Sequence, residues 1–188
     1  MFKFLGLLLI PTLSFASVKV DLSQAPSGVE FLAVGKPSAL KINGTGGKLA
    51  GTIEVDGTEI KGRILVKIND FSTGISLRDQ HMKEKYLETE KFSDAWLEIK
   101  KIELPQDFLK SKKILSAIPF EGTLSLHGVE KPVKGVADVD SSGEMTKVST
   151  EIKIQVSDFS IAIPSYLGIK VADEVTIKTH MDLKLAQK

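Results

Sequence analysis

The strongest signal in this chain is an alternation of apolar and polar residues with a period of two. In the last such segment, one face carries Val175, Ile177, Thr179, Met181, Leu183 and Leu185. Successive side chains of a β-strand point to opposite faces, so this pattern predicts strands with one buried face. Similar segments recur from Val18 onward, and together they predict about eight to ten strands joined by short turns. Without βαβ repeats, an antiparallel sheet is expected.

A two-residue turn signal, Asp56-Gly57, predicts the first hairpin and its register. Placing this dipeptide at the tip pairs Val55 with Thr58. It also sets Ile53 opposite Ile60, so the apolar residues of both arms share one face.

His127-Gly128 predicts a second hairpin, whose arms are apolar on the matching side. Pro132 lies in the returning arm and has no N–H to donate. The first part of that arm is therefore expected to be an edge strand or a longer loop.

The long strands predicted over residues 114–126 and 171–185 favour a closed barrel over an open sandwich. In a sandwich they would leave long unpaired edges, which closure removes. An eight-stranded barrel can fill its interior with side chains or hold one small ligand. The predicted inward faces are Val, Ile and Leu with some Phe and almost no charge, so the lumen would suit an apolar ligand.

The stretch from Phe71 to Trp96 departs from the alternation and predicts a helix. Ser76 followed by Asp79 has the spacing of a capping box, which predicts a helix start at Ser76. The apolar residues that follow lie on one helical face. We therefore expect one short helix, over about residues 77–88, that closes or flanks one end of the barrel.

Residues 1–16 resemble a secretory signal peptide, with Lys3 before an apolar run and Ser14-Phe15-Ala16 as a cleavage site. A membrane anchor is the alternative, but the run is shorter than the roughly 20 residues that a spanning helix needs. We expect cleavage to leave residues 17–188 as a single domain. The sequence has no cysteine, so neither disulfides nor a lipid-anchor cysteine is expected, and the periplasm is the simplest destination.

The charge distribution argues against a nucleic-acid partner. Removing Lys3 with the leader leaves 24 basic and 24 acidic residues. Only Arg63 and Arg78 are arginines, and no basic cluster is interleaved with aromatic residues. No later apolar run is long enough to span a membrane.

The sequence offers little support for an enzyme. His81, His127 and His180 fall in a predicted helix, a turn and an outward strand face, so their spacing does not predict a shared site. Asp79 beside His81 could act as a base, but helix capping explains the aspartate. Ser125 beside His127 has no third orienting acid. With no cysteine nucleophile and no zinc or serine-hydrolase motif, we expect no catalysis, no metal and no cofactor.

Three pieces of the chain, taken in order, resemble the YceI-like family of bacterial lipocalin-like polyisoprenoid-binding proteins. The matching pieces are FSTGI, RDQHM and KYL within residues 71–87, GTLSLHGVEKPV at residues 122–133, and SDF at residues 157–159 followed by residues 171–177. The resemblance covers roughly residues 18–186.

This resemblance implies an extended antiparallel eight-stranded barrel whose apolar cavity sequesters or carries a long isoprenoid, a polyprenyl or quinone-type lipid, in the periplasm. At the mouth it implies ligand contacts from Phe71, Ile75, Met82, Tyr86, Leu87 and Phe92. Along the tube it implies contacts from Phe120, Leu124, Phe159, Ile161 and Met181.

An alternative function is a packed barrel that acts as a protein-binding or envelope-stress module without a ligand. The sequence leaves it open, because an apolar lumen has the same pattern whether filled or hollow. Cavity volume separates the two. Formation of a homodimer is also left open.

Overall fold

The computed structural model of the protein describes residues 17–36, 41–166 and 169–185. The expected leader, residues 1–16, lies outside these ranges. The alternating segments form antiparallel strands, with these bounds: β1 Val18–Asp21, β2 Ser27–Lys36, β3 Lys41–Thr45, β4 Ala50–Asp56, β5 Glu59–Lys67, β6 Asp94–Glu103, β7 Ile114–Leu126, β8 Val129–Asp140, β9 Thr146–Gln155, β10 Ser165–Tyr166 and β11 Ile169–Leu183.

The strands form one sheet in the order β1-β4-β5-β6-β7-β8-β9-β11-β2-β3, with β10 added to β11. The sheet closes because β1–β2 and β3–β4 form one long hairpin with an interruption in each arm. In the first arm the interruption is a short 3₁₀ turn, Leu22–Gln24. In the second it contains Gly46, whose N–H donates to the carbonyl of Val29 at 2.8 Å. The arms pair on both sides of the break.

The predicted antiparallel lipocalin-like fold is therefore confirmed, although the strand count differs. The described residues form eleven strands, whereas the sequence predicted eight to ten strands and an eight-stranded barrel. Counting each split arm once, together with β5 to β9 and β11, gives eight positions around the ring. The inward faces are apolar, and Leu22, Ile53, Ile60, Val139 and Leu183 are among the fully buried side chains. Each such side chain contributes about 1.5–3 kcal/mol through burial.

The predicted register of the first hairpin is wrong. Asp56 pairs with Glu59 and Val55 with Ile60, so the two-residue loop is Gly57-Thr58. Gly57 takes the left-handed conformation with a φ of +48°. In this register two buried side chains, Val55 and Ile60, form a cross-strand pair, whereas the predicted register would have paired Ile60 with Ile53, which is also buried. Apolar pairing alone therefore does not decide between the two registers.

The second predicted turn is present as expected. His127 and Gly128 have φ angles of +52° and +74°, as a two-residue type I′ turn requires. Strand β8 gains its second neighbour, β9, only from Gly135 onward, so Pro132 lies in an edge segment.

The helical segment begins where predicted, but its capping differs from the prediction. The α-helix α1 spans Ser76–His81 and continues as one wider π-helical turn, Met82–Tyr86. The residue before it, Ile75, makes no side-chain cap. Asp79 instead accepts hydrogen bonds at 2.7 Å from the Ser72 hydroxyl and the Thr73 N–H, and another from the Thr73 hydroxyl. Gly74, at a φ of +80°, turns the chain there.

Shorter 3₁₀ turns complete the connections of the barrel. They span Ile68–Asp70, Phe108–Lys110 and Val156–Phe159. Because neighbouring strands are antiparallel, one end of the barrel collects α1, the β7–β8 turn and the β9–β10 connection. We call this the helix end. The β4–β5, β6–β7 and β8–β9 connections lie at the opposite end.

Candidate functional site

The barrel encloses an apolar cavity of about 70 Å³. Its wall consists of Val29, Leu49, Ile64, Val66, Ile68, Phe71, Ala95, Trp96, Leu97, Leu124, Leu126, Thr150, Ile152, Ile177 and Thr179. No residue of this wall carries a charge. A site of this kind binds apolar groups through burial and cannot anchor an ion.

The cavity occupies the half of the barrel nearer the helix end. On β9 and β11 its innermost lining residues are Thr150 and Thr179, which are paired in register. The next inward-facing pair beyond them is Val148 with Met181, which is fully buried and does not line the cavity. At its other end the cavity reaches Phe71, in the connection before α1. The far half of the barrel is packed with its own side chains.

Two aromatic rings fill the space next to the cavity at the helix end. Phe31 and Phe71 pack edge to face with ring centroids 5.5 Å apart. A Cβ at Gly44 would lie 2.2 Å from the ring of Phe31, and one at Gly46 would lie 2.9 Å from that of Phe71. The glycines thus make room for the rings, of which Phe71 forms part of the cavity wall.

The six predicted mouth residues occupy different environments. Phe71 is buried and lines the cavity. Met82, Tyr86 and Leu87 are half-buried and pack against the core. Ile75 is 53% exposed. The sixth residue, Phe92, packs against the imidazole of His127, with ring centroids 4.4 Å apart and ring planes tilted by 58°.

The five predicted tube residues are all buried, but only Leu124 lines the cavity. Phe120 and Met181 belong to the core outside its wall. Phe159 and Ile161 lie at and just beyond the Val156–Phe159 turn. Their contact with a ligand stays a prediction, as it does for the mouth residues.

Sequence reasoning placed His127 in a turn and found no site there, whereas the structure shows that it is buried and joins three connections at the helix end. Its Nδ1 lies 3.1 Å from the carbonyl oxygen of Phe159, and its Nε2 lies 3.1 Å from the carboxylate of Glu88. Hydrogen bonding and charge from Lys91 lower the pKa of Glu88, and His127 adds to this. The turn signal located His127 but carried no information about the direction of its side chain.

Sequence reasoning also missed most of the cavity wall, including both threonines. Thr179 was placed correctly on the inward face of the last strand, and that polar residue within an apolar face was the one signal available. The hydroxyl oxygens of Thr150 and Thr179 lie 2.7 Å apart. This pair is the main polar feature of the wall.

The described surface outside the cavity shows weaker candidate sites. A hollow of about 320 Å³ at the opposite end is lined by Lys112, Ser142, Gly143 and Glu144, which are all exposed. Within the described ranges, no cluster of three His, Asp or Glu residues could hold a metal ion. In the same ranges, no helix has the length and hydropathy needed to cross a membrane.

The chain is similar to a known protein family. The model of the YceI-like domain matches residues 10–183. The chain belongs to the YceI-like family. The matched residues include every strand of the ring, α1 and the whole cavity wall. A search of curated protein sequences found no match.

Solved structures share this YceI-like fold at low sequence identity. BcnA from Burkholderia cenocepacia has a TM-score of 0.67 and 19% identity, covering 87% of this chain and 98% of BcnA. A polyisoprenoid binding domain from Saccharophagus degradans, implicated in plant cell wall breakdown, has a TM-score of 0.58 and 16% identity, covering 89% and 97% of the two chains. The Campylobacter jejuni YCEI protein has a TM-score of 0.60 and 20% identity, covering 78% and 86%.

Proposed function

We propose that this YceI-like protein is a binding protein that sequesters or carries a long-chain isoprenoid, of the polyprenyl or quinone type, inside its barrel. The observation that carries the proposal is the uncharged cavity at the helix end of the closed barrel. The polyisoprenoid binding domain that shares the fold supports the same ligand class. Burial alone can supply the affinity, since each CH₂ transferred from water contributes about 0.8 kcal/mol. No catalytic step, metal or cofactor is part of the proposal.

The cavity must enlarge to take such a ligand. A volume of about 70 Å³ is well below the roughly 300–1,000 Å³ of ordinary ligand pockets. Phe31 and Phe71 are the side chains best placed to yield, because both pack over glycine and lie at the helix end. We propose that an isoprenoid displaces these rings and extends the cavity toward α1.

The proposed site of action is the periplasm. Residues 1–16 would direct export and then be cleaved, leaving residues 17–188 as the mature domain. In the periplasm, binding inside the barrel would shield the isoprenoid from water.

The packed half of the barrel supports a second candidate function. Beyond the threonine pair, Val148, Met181 and Leu183 are fully buried and do not line the cavity. A barrel that stays fully packed would act through its surface, as a protein-binding or envelope-stress module.

Lipid extraction and mass spectrometry of the protein purified from its native periplasm separate the two candidates. We expect a stoichiometric isoprenoid in the wild type and its loss from Leu124→Asp, which puts a carboxylate into the cavity wall. Val136→Asp, on the exposed face of β8, is the matched control and should retain the lipid. Folding of each variant is checked by circular dichroism. A wild-type protein free of lipid that also fails to take up added isoprenoid would support the packed module.

A further inference from the structure

Thr150 and Thr179 are a buried polar pair in an otherwise apolar wall. They are 3% and 6% exposed, and they lie directly opposite each other on β9 and β11. The other lining residues are all aliphatic or aromatic. Valine has nearly the same shape as threonine and would leave no hydroxyl to satisfy.

The hydrogen bond between these two hydroxyls leaves one of their hydrogens without an acceptor. Two hydroxyls carry two donor hydrogens and several lone pairs, and the 2.7 Å bond between them uses one hydrogen. Within the described residues, neither hydroxyl bonds to another group. A buried donor without a partner costs about 1–3 kcal/mol, which a ligand oxygen could recover. Rotation about the Cβ–Oγ bond turns a hydroxyl hydrogen without moving its oxygen, so the unused hydrogen can point toward the cavity while the bond between the two threonines is kept.

The position of the pair determines which part of a ligand meets it. Val148 and Met181 close the barrel immediately beyond, whereas the cavity continues toward Phe71 in the other direction. A ligand that enters from the helix end therefore brings its leading terminus to the threonines. An ionised terminus is unsuitable there, because no cation lines the cavity and an unpaired buried charge is costly.

We propose that Thr150 and Thr179 bind a neutral oxygen of the ligand, a hydroxyl or a carbonyl, at the inner end of the cavity. This rests on the proposed function and narrows it to isoprenoids with an uncharged oxygen-bearing head that enters first. A pure hydrocarbon or a phosphorylated isoprenoid lacks the group that this pair recognises.

The test compares geranylgeraniol with the hydrocarbon of the same carbon skeleton, with both affinities measured by isothermal titration calorimetry. In the double variant Thr150→Val/Thr179→Val, we expect geranylgeraniol to bind roughly 3- to 10-fold more weakly while the hydrocarbon binds at least as well. Thr146→Val removes a buried hydroxyl on the same face of β9 outside the cavity, so it should alter neither affinity.

Equal changes for the alcohol and the hydrocarbon in the double valine variant would overturn this inference and leave the proposed function intact. A wild type that binds neither ligand would overturn the proposed function, and this inference with it. If the valine variant does not fold, Thr150→Ser/Thr179→Ser replaces it. That variant keeps both hydroxyls and should preserve the wild-type ratio of the two affinities, and a 3-fold or greater change in the ratio would contradict the proposal.

Discussion

The imidazole Nε2 of His127 and the carboxylate of Glu88 lie 3.1 Å apart, joining the β7–β8 turn to the loop after the helical segment. Both residues have left-handed backbone conformations, with φ angles of +52° and +42°. Glu88 also forms an ion pair with Lys91. The helix end is thus held by polar contacts at its rim as well as by apolar packing.

This contact predicts an acid-dependent loss of stability. The folded pKa of Glu88 lies below its ordinary value of 4.5, first because of Lys91 and then because of His127. A depressed carboxylate pKa stabilises the fold above the ordinary value, and the stabilisation is lost as pH falls through the folded pKa. The melting temperature of Glu88→Gln should therefore lie below that of the wild type at pH 7, and the difference should shrink as the pH falls below 4.5. Glu90→Gln, an exposed neighbour, should show no such convergence.

Asp79 should stabilise the start of the helical segment through its bonds to Ser72 and Thr73. Burial raises the pKa of Asp79, but hydrogen bonds from these two residues outweigh it, and the folded pKa is lowered. We expect Asp79→Ala to reduce the free energy of unfolding by about 1–2 kcal/mol in urea titrations, because several donors lose their acceptor. Glu84→Gln, exposed on the same segment, should change it by less than about 0.5 kcal/mol. Equal effects of the two would contradict this role.

Phe71→Ala should enlarge the cavity at the helix end. The lost burial predicts a destabilisation of about 3–5 kcal/mol, measured by denaturant unfolding. If Phe71 limits the cavity, isoprenoid uptake should also be faster, as followed by stopped-flow mixing with a fluorescent isoprenoid analogue. Phe108→Ala removes an equally buried ring at the opposite end and should destabilise without accelerating uptake. Similar uptake rates in the two variants would exclude Phe71 as the limiting side chain.

Gly62 should tolerate no side chain. Its φ is +147°, and a Cβ there would lie 2.2 Å from the carbonyl oxygen of Thr52 on the paired strand. We expect Gly62→Ala to destabilise the protein by at least about 2 kcal/mol, seen as a lower melting temperature and soluble yield. Gly143→Ala is the control, because its Cβ would come no closer than 3.6 Å to another atom. A Gly62→Ala variant as stable as this control would contradict the backbone clash.

Several features of the fold were predictable from local sequence. The alternation in β11 placed Thr179 and Met181 on an inward face correctly, and His127-Gly128 located a real turn. The register at Gly57-Thr58 was not predictable, since Asp56-Gly57 is also a good turn signal and both registers give Ile60 an apolar partner, Val55 in one and Ile53 in the other. The predicted capping of α1 was wrong for a related reason. Asp79 is hydrogen-bonded to residues before the helix that a chain reversal at Gly74 brings back.

The sequence by itself determined that the protein is an antiparallel β structure with an apolar interior, because side-chain direction in a strand alternates whatever the neighbours are. The tertiary structure alone decided where that interior is hollow. The contact of Phe31 with Phe71 and the meeting of Thr150 with Thr179 join residues far apart in the chain. Cavity volume is what remains after all such contacts are made, so no single segment encodes it.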